Sequence, residues 1–570
     1  MLGLLPPGLI LIAAAALLPF TSGRLRDTVL LAAPLLAIAQ VMALPAGASL
    51  TLDWLGEELV PLRVDAISRL FGLIFSIMGF LGALFALRQQ RLAELVAAFL
   101  YAGSAIGVAF AGDLLTVFVY WELMAVASAL IVWSGGMAGS FGAAMRYIFV
   151  HFLGGVLLMA GIIWHIVEGG GTGFGLIGLA HPSGWLILAG FLINAGAWPL
   201  SSWVGDAYPE ASYSGTVFLS AFTTKTAVYV LWRAFPGTEL LIVVGLIMVF
   251  YGIIYALLEN DMRRILAYSI VNQVGFMVTG IGIGTEMALN GAASHAFAHI
   301  IYKALLLMAA GSVLLQTGRR RCSELGGLFQ SMPVTTLCAI VGALAISAFP
   351  LTSGFVSKSM ISDAAAHEHL GLAWFLLTAA SAGVFLHAGI KFPWFVFFQK
   401  DSGLRPPDPP WHMKAAMILA AILCVGIGVY PAPLYALLPF EVEFAPYTAE
   451  HVIEMLELLL FAGLAFFVLL PLMKRTRTIS LDTDFLWRRV GPALWRLGLA
   501  LLTAAGALGG RLLTSAGRLG SSVSGRVVGP QGLFALTLET GLTILVLTIA
   551  LAAALWFTLG PDLMAAMGGG

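Results

Sequence analysis

The sequence predicts an all-α polytopic membrane protein with about sixteen transmembrane helices. Three observations carry the prediction. Apolar residues make up 60% of the 570 residues and charged residues only 10%, against roughly 45–50% and 25% in soluble domains. The apolar residues fall into runs near the length of about 20 that crosses a bilayer. The charges between the runs alternate in sign from one loop to the next.

The candidate spans are 4–20, 27–46, 64–88, 92–111, 113–134, 143–168, 184–204, 212–234, 238–258, 264–285, 288–316, 330–363, 370–398, 412–432, 452–473 and 533–560. Backbone in lipid must satisfy its own hydrogen bonds, so such runs become helices. Odd loops collect basic residues: Arg24 and Arg26; Arg88 and Arg91; Arg263 and Arg264; Arg319, Arg320 and Arg321; Lys400, Arg405 and Lys414; Lys474, Arg475 and Arg477. Even loops hold acids or nothing: Asp53, Glu57 and Glu58; Glu168; Glu286; Glu441 and Glu443. The positive-inside rule then puts odd loops in the cytoplasm and both termini outside, in a multi-pass protein of the cell membrane. A miscount by one helix would scramble the alternation. The stretch 4–20 has no positive flank before it and reads as the first helix rather than a cleaved signal.

Segment 478–528 carries Arg488, Arg489, Arg496, Arg511, Arg518 and Arg526 among Leu and Ala, with no acid after Asp484. A basic amphipathic helix on the cytoplasmic surface fits it; a short hairpin dipping into the bilayer at 493–508 is the alternative.

Some chemistry is excluded. Net charge is zero, which implies no nucleic-acid partner. Cys322, Cys338 and Cys424 have no metal-ligand spacing. No phosphate-binding glycine loop follows a strand. No cofactor is expected, and the chain by itself is not expected to be an enzyme.

Ionisable residues inside spans carry the functional signal, because a charge at the bilayer centre costs roughly 3 to more than 10 kcal/mol. Glu122 sits in VFVYWELMAVAS and Lys225 in FLSAFTTKTAVY. His295, His299 and Lys303 recur every four residues, on one helix face. Lys358 follows a break in FPLTSGFVSK, and His387 and Lys391 lie four apart in FLHAGIKFPW. Any one of these could simply tie helices together. Ionisable residues recurring through so many spans argue for an ion or proton path. Histidine titrates near neutral pH, and burial tunes lysine and glutamate toward it. Pro199 and Pro350 break spans seven and twelve. These spans are five apart, so equivalent helices run in opposite directions, the pattern of inverted repeats.

These motifs resemble the antiporter-like subunits shared by Mrp-type Na+/H+ antiporters, respiratory NADH:quinone oxidoreductase and membrane-bound hydrogenases, and most nearly the D-type Mrp subunits. The resemblance is strong over about 60–400 and rests on six motifs in order. They are AGDLLTVFVYWELM, PLSSWVGDAYPEAS before FTTK, ENDMRRILAYSIVNQVGF, SHAFAHIIYKALLLMAAGSV, SELGGL and FPLTSGFVSK. It implies a fourteen-helix core with inverted repeats of helices 4–8 and 9–13. The chain then divides into 1–91, repeats at 92–235 and 236–400, helices 14–15 at 401–475, the surface segment 476–530 and a last helix in 531–570. It also implies a polar axis: Glu122 in helix five, Lys225 in helix eight, His295, His299 and Lys303 as the central relay, and Lys358 in helix twelve. Asp206, His387 and Lys391 are accessory candidates.

One position departs from the family. Where a lysine usually stands five residues before the helix-seven proline, this chain has Asn194, and Ser201 replaces a common histidine. The expectation is that Lys225 takes over as the partner of Glu122.

Three functions follow as expectations. The first is a subunit of a Na+ or K+/H+ antiporter assembled with other membrane subunits. The second is a proton-pumping subunit of a redox complex whose chemistry belongs to other chains. The third is an anchoring subunit with a decayed relay, favoured only by Asn194.

Overall fold

The structure, a computed structural model, describes residues 4–54, 56–471, 482–527, 529 and 540–567. It divides into two units, Met1–Phe485 and Leu486–Gly570. The larger unit is a helical membrane body. Its helices are α1 (Pro7–Leu17), α2 (Gly23–Ala43), α3 (Ala66–Phe85), α4 (Leu92–Phe110), α5 (Leu114–Trp133), α6 (Ser140–Val167), α7 (Pro182–Ala195), α8 (Ser202–Ala207), α9 (Gly215–Ala221), α10 (Thr223–Ala234), α11 (Leu240–Leu258), α12 (Met262–Ile283) and α13 (Glu286–Thr317). After them come α14 (Pro333–Ile346), α15 (Phe355–His367), α16 (Gly371–Val384), α17 (Trp411–Val429), α18 (Ala432–Tyr435) and α19 (Ala449–Leu469). The smaller unit holds α20 (Gly491–Val527) and α21 (Thr540–Met567).

Each predicted span meets a helix, but among the described residues thirteen helices are long and apolar enough to cross a membrane unaided. The difference has physical causes. α1 has only 11 residues, and spans seven, eight and twelve are each interrupted. Conversely, Arg488–Val527 passes the same test of length and composition. The 37-residue continuity of α20 also rules out the hairpin alternative at 493–508. The cluster Lys474, Arg475 and Arg477, and the start of the last span before Thr540, lie outside the described residues.

Local chemistry sets the helix ends. Asp65, Asp113, Asp261, Thr285 and Thr448 cap N-termini by accepting backbone N–H bonds. Loop two, noted from sequence only for its acids, is a β-hairpin: β1 (Ser49–Trp54) pairs antiparallel with β2 (Glu57–Arg63).

Loops of equal parity bond to one another. On the even side, Val60 N donates to Asp113 at 2.7 Å, Arg63 to Phe174 O at 2.6 Å and Asn290 to Phe440 O at 3.0 Å. On the odd side, Arg88 pairs with Asp27 at 2.8 Å, Arg91 reaches Ser134 O at 2.6 Å and Arg320 pairs with Glu210 and Asp261 at 2.9 and 2.8 Å. The two faces inferred from charge are therefore the two faces of the body. Its most enclosed helices are α12 and α13, with 100% and 89% of their apolar windows buried. α13 carries His295, His299 and Lys303 and α12 carries Gln273, and all four are fully buried, facing protein and not lipid.

Candidate functional site

The three interruptions expose backbone where the ionisable side chains sit. α7 ends at Gly196, whose φ of 78° suits a residue without a Cβ. Pro199 then blocks continuation before α8. Between α14 and α15, Ala348 and Leu351 are held at φ 58° and 69° around Pro350. Non-glycine residues are strained there, and such strain gathers at functional sites. The break between α9 and α10, at Phe222, has no proline and no signal in the sequence. It frees Ser220 O, which accepts from Lys225 Nζ at 2.7 Å; Thr224 Oγ1 accepts at 3.1 Å.

Lys225 thus does not take the partner expected of it. Its ammonium is satisfied by its own helix break, and Glu122 has no ion-pair partner within 4.0 Å among the described residues. Glu122 is half-buried, and its Oε1 has no hydrogen-bond partner. A double glycine on α6 makes its site. A Cβ on Gly155 would overlap Glu122 Oε1, and one on Gly154 would lie 3.5 Å from Asn194 Oδ1. Glu122 and Asn194 therefore flank one Gly-Gly step, and both polar atoms of the fully buried Asn194 are unpaired.

α10, which carries Lys225, packs against α12 and against α13, the helix of His295, His299 and Lys303, and α13 packs against α15, the helix of Lys358. All these residues are at most 1% exposed. His295 Nε2 lies 3.0 Å from Gln273 Oε1, to which Tyr302 OH donates at 3.1 Å. His295 Nδ1 lies 3.3 Å from Ser357 Oγ, one residue from Lys358. The His295 and His299 rings stack with centroids 6.1 Å apart, and neither nitrogen of His299 has a hydrogen-bond partner among the described residues. Lys303 Nζ donates to Ser269 at 2.8 Å. Among the described residues Lys358 Nζ has no hydrogen-bond partner, and it sits 5.3 Å from the Phe276 ring centre. Together these groups are buried ionisable side chains carried by α10, α13 and α15.

The accessory candidates separate. Asp206 is bound by Arg146 at 2.6 and 2.9 Å, a structural clamp between α6 and α8. Lys391 donates to the carbonyls of Ala256, Leu257 and Glu259 at 3.0, 2.5 and 2.6 Å, closing the C-terminus of α11. His387 lies in a π-helical stretch, Phe385–Lys391, a form found at functional turns. Its Nδ1 meets Gly383 O at 2.8 Å, and its Nε2 is unpaired. Arg263 of the ENDMRR motif is also structural, holding the carbonyls of Pro209, Ala211 and Ser212 at 2.8, 2.9 and 2.7 Å.

Sequence reading missed four groups. His151 on α6, one turn before Gly155, is 1% exposed with an unpaired Nε2. Its place mid-span was visible in the sequence. Gln273 and Tyr302 connect to His295, and only their facing positions reveal it. Glu94 is a buried carboxylate bound by Ser212 and Ser214, each at 2.6 Å, near the odd-loop face. No group of three metal-binding side chains comes together among the described residues.

Residues 111–385 match the transmembrane domain described as "NADH:quinone oxidoreductase/Mrp antiporter". The chain is 29% identical over 417 residues to a probable A/B-type component of a K+/H+ antiporter of Rhizobium meliloti, covering 67% of this chain and 41% of that one. It is 31% identical over 274 residues to the D-type component of the Na+/H+ antiporter of Alkalihalophilus pseudofirmus, covering 44% and 55%. It thus spans about half the length of these relatives. Its fold resembles a chain of the Mrp complex from Dietzia sp. DQ12-45-1b, with a TM-score of 0.76 at 23% identity over 96% of this chain and 66% of that one. Motifs and helices agree with these likenesses, and the chain is similar to antiporter-like membrane subunits related to those of NADH:quinone oxidoreductase.

Proposed function

We propose that the chain is the proton-translocating subunit of a multi-subunit monovalent cation/H+ antiporter, exchanging Na+ or K+. Protons pass along the mid-membrane line of Glu122, Lys225, His299, His295 and Lys358, with Lys303 beside it. The observation that carries the reading is the unpaired state of buried ionisable groups. Glu122 Oε1, both His299 nitrogens and Lys358 Nζ lack hydrogen-bond partners among the described residues. Residues that only tied helices together would be paired, because an unpaired buried charge is costly.

Odd loops lie in the cytoplasm in this reading, supported by the basic clusters. Helices 4–8 and 9–13 are two inverted repeats, supported by the broken helices seven and twelve. Partner membrane subunits complete the cation route, and the chain alone is not an enzyme. Asn194 leaves the first half without its usual lysine. The second half, from Lys225 to Lys358, is therefore the main path.

The test is cation tolerance and dissipation of ΔpH in vesicles of an antiporter-deficient host, expressing the chain with its gene neighbours. Sodium or potassium should collapse ΔpH. Lys358→Ala should reduce the effect at least tenfold with insertion intact, and Glu122→Ala should reduce it if the first half works. Near-native exchange in Lys358→Ala would remove the relay. Proton movement that needs an electron donor and ignores cations would place the chain in a redox pump instead.

A further inference from the structure

One face of α6 runs through the first half and is polar along its length. Tyr147, His151 and Gly155 share it, spaced four residues or about 6 Å apart along the helix. At one end, the Gly154–Gly155 step lies against Glu122 and Asn194. At the other end, Tyr147 OH lies 3.3 Å from Thr223 Oγ1, at the helix break two residues before Lys225.

His151 stands between these ends. Its ring stacks on Tyr147 with centres 3.9 Å apart and meets Trp203 edge-on at 4.5 Å. Trp203 Nε1 donates to Ile193 O at 3.0 Å, next to Asn194. The imidazole is therefore held against the end of α7, where the resemblance leads one to expect a lysine and the chain has Asn194.

The tautomer follows from its one hydrogen bond. Nδ1 lies 2.9 Å from Tyr147 O. A carbonyl only accepts, so Nδ1 carries the hydrogen and the lone pair of the neutral ring is on Nε2. Nε2 is buried and has no hydrogen-bond partner among the described residues. Glu122 Oε1, both polar atoms of Asn194 and Ser201 Oγ share that state. A ring kept only to pack on Tyr147 and Trp203 would be served by phenylalanine, which buries no bare lone pair. The helices packed on α6 are α5, α7 and α8. They bring Tyr120 and Glu122 from α5, Asp206 from α8 and no ionisable side chain from α7. Asp206 is bound by Arg146, which leaves Glu122 as the carboxyl free to trade a proton with the imidazole.

We propose that His151 is the proton-carrying group of the first half, in the place of the lysine that Asn194 replaces. A proton leaves the Glu122 carboxyl and adds to Nε2, giving a carboxylate and an imidazolium. It then passes by the hydroxyls of Tyr147 and Thr223 to the Lys225 amine, which becomes an ammonium and leaves the ring neutral. Steps of about 6 Å are within reach of one bridging water. The inference rests on the proton path proposed above and adds a working first half to it.

The test is cation-driven dissipation of ΔpH in vesicles carrying the chain with its gene neighbours. His151→Phe keeps the ring packing and removes the lone pair; His151→Gln is the second variant should Phe lower the melting temperature by more than a few degrees. Exchange should fall about fivefold or more, to the Glu122→Ala level, because a positioned proton carrier is worth at least that much when it limits the rate. Adding Asn194→Lys to either variant should recover at least half of the native exchange, which a merely structural role would not allow. Native exchange in a folded His151 variant would overturn the inference, and so would a loss that Asn194→Lys leaves unrepaired. Either result leaves the antiporter reading standing as long as Lys358→Ala abolishes exchange. Absence of any cation response in the unaltered chain is the separate result that removes that reading.

Discussion

Asn194 is where sequence and structure disagree most usefully. The sequence marks it as a lost lysine and assigns its role to Lys225. The structure keeps Lys225 on Ser220 O and Thr224, and leaves Asn194 unpaired beside the Gly154–Gly155 step. A lysine at 194 would therefore stand next to Glu122. We expect Asn194→Lys to move half-maximal exchange to lower pH by about one unit, since a neighbouring cation favours the charged carboxylate. Vesicle ΔpH assays across a pH series measure it; an unchanged profile would show that Glu122 takes no part. Sequence alone could not separate these outcomes, because which side chain faces Glu122 depends on how α5, α6, α7 and α10 are rotated against each other.

Among the elements, α6 and α11 give opposite expectations. On α6, a methyl at Gly155 meets only the movable end of Glu122. Gly155→Ala should leave the melting temperature within a few degrees but reduce exchange toward the Glu122→Ala level, because the carboxylate must turn away. At α11, Lys391 satisfies three end carbonyls. Lys391→Met should cost about 1–3 kcal/mol from unpaired buried carbonyls, read as a lower melting temperature in detergent, with exchange per folded molecule largely kept. Lys391 drew attention in the sequence only as a charge, and Gly155 drew none. The contacts that give them different work come from α5 and from the end of α11. The break at Phe222 is a similar case: no proline announces it, and packing of α9 and α10 decides it.

For the whole molecule, the even-loop face is held by a charge cluster. Asp65 caps α3 and receives two hydrogen bonds of 2.7 Å from Arg233 at the end of α10. Burial by itself would raise the Asp65 carboxyl, but the charge and hydrogen bond of Arg233, helped by Ser68 and Arg63, outweigh it and hold the carboxyl below its ordinary value. A carboxyl depressed in the folded state stabilises fully above the unfolded value near 4 and loses that contribution as pH falls through the folded value. The melting temperature should therefore fall as pH drops from about 5 toward 3. In Asp65→Asn it should start lower and vary less over that window. The effect is small, below about 1 kcal/mol for so accessible a group. Melting curves at matched ionic strength would check it, and an identical slope in the variant would assign the acid sensitivity elsewhere.

The order of amino acids already establishes that the chain lives in a membrane, which runs become helices and the parity of its loops, and it singles out most ionisable residues of the proposed line. These follow from rules that act locally: a lipid-embedded backbone has only itself to bond with, and a charge in lipid is too costly to be incidental. Packing in three dimensions supplied the rest: that Lys225 pairs with a helix break and not with Glu122, that Lys391 and Asp206 are structural, that Gln273 and Tyr302 support His295, and that Tyr147 meets Thr223 at the break beside Lys225. Contacts of this kind join residues up to 135 positions apart in the chain, as Lys391 and Ala256 are, and depend on helix rotation and loop closure. One chain read alone encodes those only through packing.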